Sequence, residues 1–208
     1  MLEVHAPHQT VHTWKDFLIH IVAISLGLLI AIGLEQTVEH FHRLHQLDDA
    51  RRELKSELED NRRVLDKNLA IGHQMSVRLE QDMALLRAAQ ALRAPIAGKL
   101  DYEGLFFWPV DGPWQVVRQN GSLGLMPHGE LFKYNYIHED IAAIMEGLVA
   151  FSARMSLASA IAKRAPAGNF SSKDLEELVT ATSEAQGSLK YVTSLLELET
   201  LALDRDWR

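Results

Sequence analysis

Three histidines, His40, His42 and His45, lie close together and follow Glu35 and Glu39. On a helix, Glu39 shares a face with His42, and His42 shares one with His45, because residues three apart are neighbours. Imidazole and carboxylate groups together form nitrogen and oxygen sites for metal ions. One helix supplies only part of a coordination shell, so a metal site, a pH-responsive patch and a solvated interfacial patch all stay open.

A second group of candidate residues lies in the stretch "LFFWPVDGPWQVVRQNGSLGLMPHGEL", which is rich in aromatic side chains. One interpretation is that the aromatic rings close the open end of a helical bundle. The other is a recognition surface, because loops often carry function and Trp and Arg dominate binding hot spots. For that surface, the partner-binding candidates are Phe107, Trp108, Trp114 and Arg118.

Catalytic patterns are weak in this chain. No G-x-S-x-G nucleophile elbow occurs, and there is no cysteine to act as a nucleophile or thiolate ligand. Paired carboxylates such as Glu176 and Glu177 fall in amphipathic stretches that favour a solvated face. We therefore predict no enzyme and assign no catalytic, cofactor-binding or metal-binding residue. A metal-dependent activity through His42 and His45 is the residual enzyme hypothesis.

Composition narrows the classes of partner. The 208 residues include 47% hydrophobic residues, enough for a substantial core, and carry a formal net charge of −7. Because nucleic acid attracts basic surfaces, we expect no nucleic-acid partner. The absence of cysteine leaves the compartment undecided.

The run from Phe17 to Leu34 contains no Asp, Glu, Lys or Arg and is long enough to cross a bilayer as a helix. Trp14 and Lys15 precede it, as expected of interfacial anchors. A cleaved signal peptide is disfavoured because a basic start and a small-x-small cleavage site are missing. A buried core helix of a soluble protein is the other alternative. We predict a retained transmembrane helix.

Within this run, Ala23, Gly27 and Ala31 recur every four residues and are the candidates for transmembrane packing. Helix association through this stripe and a plain lipid-facing surface are both open. The positive-inside rule points weakly to a cytoplasmic C-terminal domain, because Arg43, Arg51 and Arg52 follow the span.

After the span, apolar residues recur at three-residue and four-residue steps in three long segments, which predicts amphipathic helices with coiled-coil-like seams. No convincing strand pattern is present. The predicted fold is all-α: an N-terminal transmembrane helix continues into a long amphipathic helix that packs in an antiparallel three-helix or four-helix bundle. The predicted parts are a flexible tail (1–16), the transmembrane helix (17–34), a stalk and first bundle helix (35–93), an aromatic tip loop with a short helix (94–126), and the second (127–164) and third (171–205) bundle helices.

The order of "FLIHIVAISLGLLIAIGLEQTVEHFH", "ARRELKSELEDNRRVL" and "PWQVVRQNGSLGLM" resembles families of bacterial single-span inner-membrane proteins. In those families an apolar span leads into a charged helix, and a Trp-containing turn precedes the next helix. The resemblance implies a single-pass inner-membrane protein whose C-terminal domain is periplasmic, against the weak charge bias. It implies no activity, cofactor or catalytic residue.

These observations favour a membrane-anchored helical interaction or assembly protein without catalytic activity. The alternative is a membrane-tethered sensor or small-ligand-binding domain. The expected partners are the lipid bilayer and either further copies of the chain or another membrane protein.

Overall fold

The computed structural model describes residues 14–165 and 168–206. In this part the chain is helical and contains no strand, which confirms the all-α prediction. It divides into two compact units, Met1–Asp49 and Ala50–Arg208, and α1 contributes to both. The helices are α1 (Trp14–Leu92), α2 (Gly112–Gln119), a 3-10 turn (Ser122–Leu125), α3 (His128–Ala162) and α4 (Ser172–Asp206).

In the first unit, every described residue up to His45 is exposed to solvent. Two helices of the described chain, α1 and α3, are long and apolar enough to cross a membrane by length and composition. None of the apolar window of α1 is buried, whereas 39% of the window of α3 is buried. The window of α3 therefore fits a core helix, and that of α1 is covered by no other part of the described chain.

The predicted boundaries shift slightly. Residues 14–16, expected in the flexible tail, form the first turn of α1, and the rest of that tail lies outside the described residues. The first long helix ends at Leu92, where Arg93 takes a left-handed φ of 49° and Pro95 follows. The third bundle helix, α4, begins after Ser171, whose hydroxyl oxygen accepts the Asp174 backbone N–H at 3.1 Å.

In the second unit, α3 and α4 pack antiparallel. Arg164, near the end of α3, bonds Asp174 and Glu177 near the start of α4, at 3.0 and 2.7 Å. Gly147, which comes earlier in α3, lies against Val192, which comes later in α4. The seam predicted for α3 is buried along its length, which is what a bundle helix with heptad-like spacing requires. Its members are Tyr134, Ile137, Ile141, Ile144, Leu148, Phe151, Met155 and Ala158.

The helices α1 and α3 run in the same direction. Arg51 of α1 donates to both carboxylate oxygens of Glu130 at 2.8 and 2.6 Å, and Glu57, two turns later, lies beside His138 of α3. The chain must therefore reverse between α1 and α3. Residues 94–111, which we call the crossover segment, make this return instead of a helix.

The first and last long helices come close at a glycine. A Cβ atom built on Gly72 of α1 would lie 2.5 Å from Cγ2 of Thr193 in α4, closer than real Cβ contacts. A glycine in the interior of a helix costs about 1 kcal/mol relative to alanine. At Gly72 the absence of a side chain permits the close approach of α4, and α1 continues through this residue without a break.

Candidate functional site

The crossover segment is held on α1 by two asparagine side chains. The Asn61 amide donates to the carbonyl of Val110 and accepts its N–H, both at 2.7 Å. Asn68 bonds the backbone of Phe107 in the same way, at 2.7 and 2.8 Å. Both asparagines are fully buried. Each amide therefore satisfies one backbone N–H and one backbone C=O of a segment that lies outside the helices.

These contacts continue in a regular register. Asp82 accepts the N–H of Asp101 at 3.0 Å, and Gly104 lies so close to the side chain of Met75 that an added Cβ would not fit. The four α1 positions 61, 68, 75 and 82 are seven residues apart, and they meet segment residues 110, 107, 104 and 101. Seven helical residues rise about 10.5 Å and three extended residues about 10 Å, so the register is maintained over the whole contact.

The other side of the crossover segment packs on α3 and α4. The Phe106 ring meets Phe151 of α3 edge to face, with centroids 5.6 Å apart. The buried Tyr102 hydroxyl lies 2.7 Å from the hydroxyl of Thr182 in α4. Burial raises the pKa of Tyr102 to about 12, so this phenol stays protonated and able to donate.

This path corrects the prediction of a tip loop at 94–126. The segment runs back along α1, and α2 packs beside Glu57, far from the end of α1 at Leu92. The physical reason is that Asn61, Asn68 and Asp82 supply polar partners along the side of the helix.

The four partner-binding candidates separate in the structure. Phe107 and Trp108 are half-exposed, at 48% and 50%, and Arg118 is exposed. Trp114 is 7% exposed, so its prediction as a surface anchor is wrong. The exposed apolar residues of the crossover segment form what we call the aromatic edge: Leu105, Phe107, Trp108 and Val110.

Trp114 instead covers a buried polar pair. Its indole stacks on the His138 ring, with centroids 4.2 Å apart and planes 11° from parallel. Its backbone N–H donates to Oε2 of Glu57 at 2.7 Å. Oε1 of Glu57 lies 3.7 Å from Nδ1 of His138, and the two side chains are 0% and 5% exposed. In the described structure, Oε1 and both imidazole nitrogens lack a hydrogen-bond partner.

Burial dominates the electrostatics of this pair. It raises the pKa of Glu57 to about 7, against the lowering effect of the Trp114 N–H, and Asp111 raises it further through like charge. Burial lowers the pKa of His138 to about 4, although Asp111 favours its charged form. At pH between these values, the carboxyl and the imidazole are both uncharged.

Sequence reasoning missed Glu57 and His138 as a pair. The available signal was position: Glu57 lies between the buried Leu54 and Leu58, and His138 lies beside Ile137 in the seam of α3. A polar residue at an apolar position of an amphipathic helix requires a partner in the core.

The candidate residues of the first unit are exposed. Gly27 has no heavy atom within 4 Å of an added Cβ, and Ala23 and Ala31 are exposed. His40, His42 and His45 are exposed, and no cluster of three or more His, Asp or Glu side chains suited to a metal ion occurs among the described residues. Their metal and packing roles stay predictions.

A groove lies between the crossover segment and α3, with a volume of about 340 Å³. Its lining is mainly apolar, from Phe106, Phe151 and Met155, with Ser156 and Lys163 as polar members. Pockets of this size and composition are typical of small-ligand sites.

A scan against models of protein families finds no match, and neither do comparisons with curated proteins and with solved structures.

Proposed function

We propose that this chain is a membrane-anchored helical interaction protein without catalytic activity. The apolar stretch 17–34 of α1 is its single span in a bacterial inner membrane, and the second unit is its interaction domain, on the periplasmic side. The aromatic edge contacts the partner, which is a further copy of the chain or another membrane protein.

One observation carries this proposal. The stretch 17–34 is an apolar helix of eighteen residues in which every residue is exposed. Such a surface is unfavourable in water, at about 25 cal/mol for each Å² of apolar area left uncovered. A bilayer removes this cost, because an α-helix satisfies its own backbone hydrogen bonds in lipid.

The anchor is tested by placing charge within the stretch. We expect the chain with Ile24→Lys and Leu28→Lys to leave the membrane fraction, because each lysine at the centre of a span costs about 2.5 to 3.5 kcal/mol. The measurement is carbonate extraction of membranes, followed by detection of the full chain. Val38→Lys with Leu44→Lys is the matched control, since both residues are exposed apolar positions outside the stretch.

Wild type and the control should stay in the carbonate-resistant pellet. A wild-type chain that is fully released by carbonate would contradict the anchor. A reporter fused after Arg208 assigns the side of the membrane, and cytoplasmic reporter activity would contradict the periplasmic placement.

The groove favours a second candidate function, a membrane-tethered sensor that binds a small ligand. Its apolar lining next to Lys163 suits an alkyl chain with an anionic group. We expect dodecanoate to raise the melting temperature of the chain in nanodiscs, since a ligand of the folded state stabilises it. Lys163→Ala should remove the effect and the exposed Lys133→Ala should retain it. An equal response to the uncharged methyl ester would exclude a role for Lys163.

A further inference from the structure

The geometry of Glu57 and His138 excludes a strong buried ion pair. A charge-assisted N–H···O hydrogen bond is about 2.7 to 2.9 Å long, whereas Nδ1 and Oε1 are 3.7 Å apart. An imidazolium would also bury a full charge on a ring whose two nitrogens lack a hydrogen-bond partner within the described structure. Two uncharged groups avoid burying charge, and the desolvation of charge is the largest unfavourable contribution at such a site.

Neighbouring charges do not reverse this conclusion. On α1, Arg51 bonds Glu130 of α3, and Asp60 pairs with Arg63. From α4, Asp204 is bonded by Arg62. Two further groups are the phenol of Tyr134, whose pKa burial raises to about 12, and Asp111, which precedes α2. Asp111 interacts with both members of the pair and opposes ionisation of Glu57.

We infer that Glu57 and His138 form a one-proton site, in which folding moves the proton from the imidazole to the carboxyl and leaves the buried pair uncharged. In the unfolded chain near pH 5.5, the carboxylate is ionised and the imidazole is protonated. In the folded chain the carboxyl keeps one proton, and the imidazole has a lone pair on Nδ1. The proton count is one in both states.

This site therefore makes the stability of the bundle insensitive to pH over a defined window. Between the ordinary pKa values of 4.5 for Glu57 and 6.5 for His138, folded and unfolded chains bind equal numbers of protons at the pair. Stability changes with pH only where those numbers differ. The inference is independent of the proposed function, although a pH-tolerant bundle suits a domain outside the cytoplasm.

Replacing one member of the pair by glutamine makes the stability depend on pH through the titration of the other member. In Glu57→Gln, His138 is the one member of the pair that still titrates. At this residue the folded chain binds fewer protons than the unfolded chain between pH 4 and 6.5. Relative to wild type, its unfolding constant should fall up to tenfold for each pH unit of increase. In His138→Gln only Glu57 titrates, and the folded chain binds more protons between pH 4.5 and 7. Its unfolding constant should rise by up to the same factor.

The experiment measures urea unfolding of the full chain in nanodiscs at pH 4.5, 5.5 and 6.5. Each variant is compared with wild type, so that titration of the other carboxyl groups cancels. The double variant should show no slope relative to wild type, and the exposed controls Glu53→Gln and His128→Gln should show none either. Slopes of the same sign in the two single variants, or none in either, would overturn the inference.

A spectroscopic measurement decides the question if a variant does not fold. The infrared spectrum of the wild-type chain at pH 5.5 should contain the C=O stretch of a buried protonated carboxyl group. In ¹⁵N NMR spectra at the same pH, His138 should give the signals of a neutral ring. An imidazolium signal at His138 would overturn the assignment.

Discussion

Replacing Asn68 by alanine is expected to lower the free energy of unfolding by about 2 to 3 kcal/mol, since a backbone N–H and C=O that lose their partner each cost about 1 to 3 kcal/mol when buried. Both groups belong to Phe107, which is 48% exposed, so water reaches them in part and the expected loss is at the lower end of the sum. Urea unfolding of the full chain in nanodiscs measures the change.

The matched control is Gln74→Ala, an amide on the same helix with an exposed side chain. Surface substitutions of this kind usually stay within about 0.5 kcal/mol. Asn68→Asp is a sharper variant because it keeps the acceptor for the Phe107 N–H, removes the donor to its carbonyl and adds a buried charge. It should be at least as destabilising as alanine above the pKa of the new carboxyl. Equal losses for Asn68→Ala and Gln74→Ala would contradict the amide contact.

The sequence predicts the helices well because their signal is periodic. The α3 stripe from Tyr134 to Ala158 is buried as its spacing requires, and the breaks near Arg93 and Ser171 are marked by proline or a capping residue. Hydrophobic spacing reports which face of a helix is covered. It does not report whether a helix or an extended chain covers it.

The crossover segment shows this limit. Asn61, Asn68 and Asp82 lie at heptad positions of an otherwise apolar stripe, which is a signal that something polar packs there. Their partners are backbone groups of residues 101–110. Because almost every residue carries the same backbone groups, the sequence does not show which residues are the partners. The direction of α3 depends on the same contacts, because an extended return allows α3 to run parallel to α1.

The candidate site was partly visible in the sequence. Aromatic composition identified residues 105–131 as unusual, but it did not separate Trp108, which is half-exposed, from Trp114, which is buried. The difference arises from α2, which turns Trp114 onto His138. Glu57 and His138 are 81 positions apart in the chain, and only the parallel packing of α1 and α3 brings them together.

Trp114→Ala is expected to cost about 3 to 5 kcal/mol of folding free energy, the range for removing a buried tryptophan. It also uncovers one face of the His138 ring, so that water reaches the pair and the pKa of His138 rises toward its ordinary value of 6.5. The matched variant is Trp108→Ala, whose half-exposed ring belongs to the aromatic edge. It should cost clearly less than Trp114→Ala, because about half of the Trp108 side chain is already exposed in the folded chain.

The variants of Trp108 and Trp114 should therefore distinguish an effect on association from an effect on folding stability. Urea unfolding gives the first quantity, and the mass of the chain crosslinked in native membranes gives the second. Trp108→Ala should lose the crosslinked species and shift the unfolding midpoint much less than Trp114→Ala does. Trp114→Phe, which keeps an aromatic ring over His138, should recover part of the stability lost in Trp114→Ala. A stable Trp114→Ala chain would show that α2 does not cover the buried pair, and crosslinking unchanged by Trp108→Ala would remove the aromatic edge from the proposed interface.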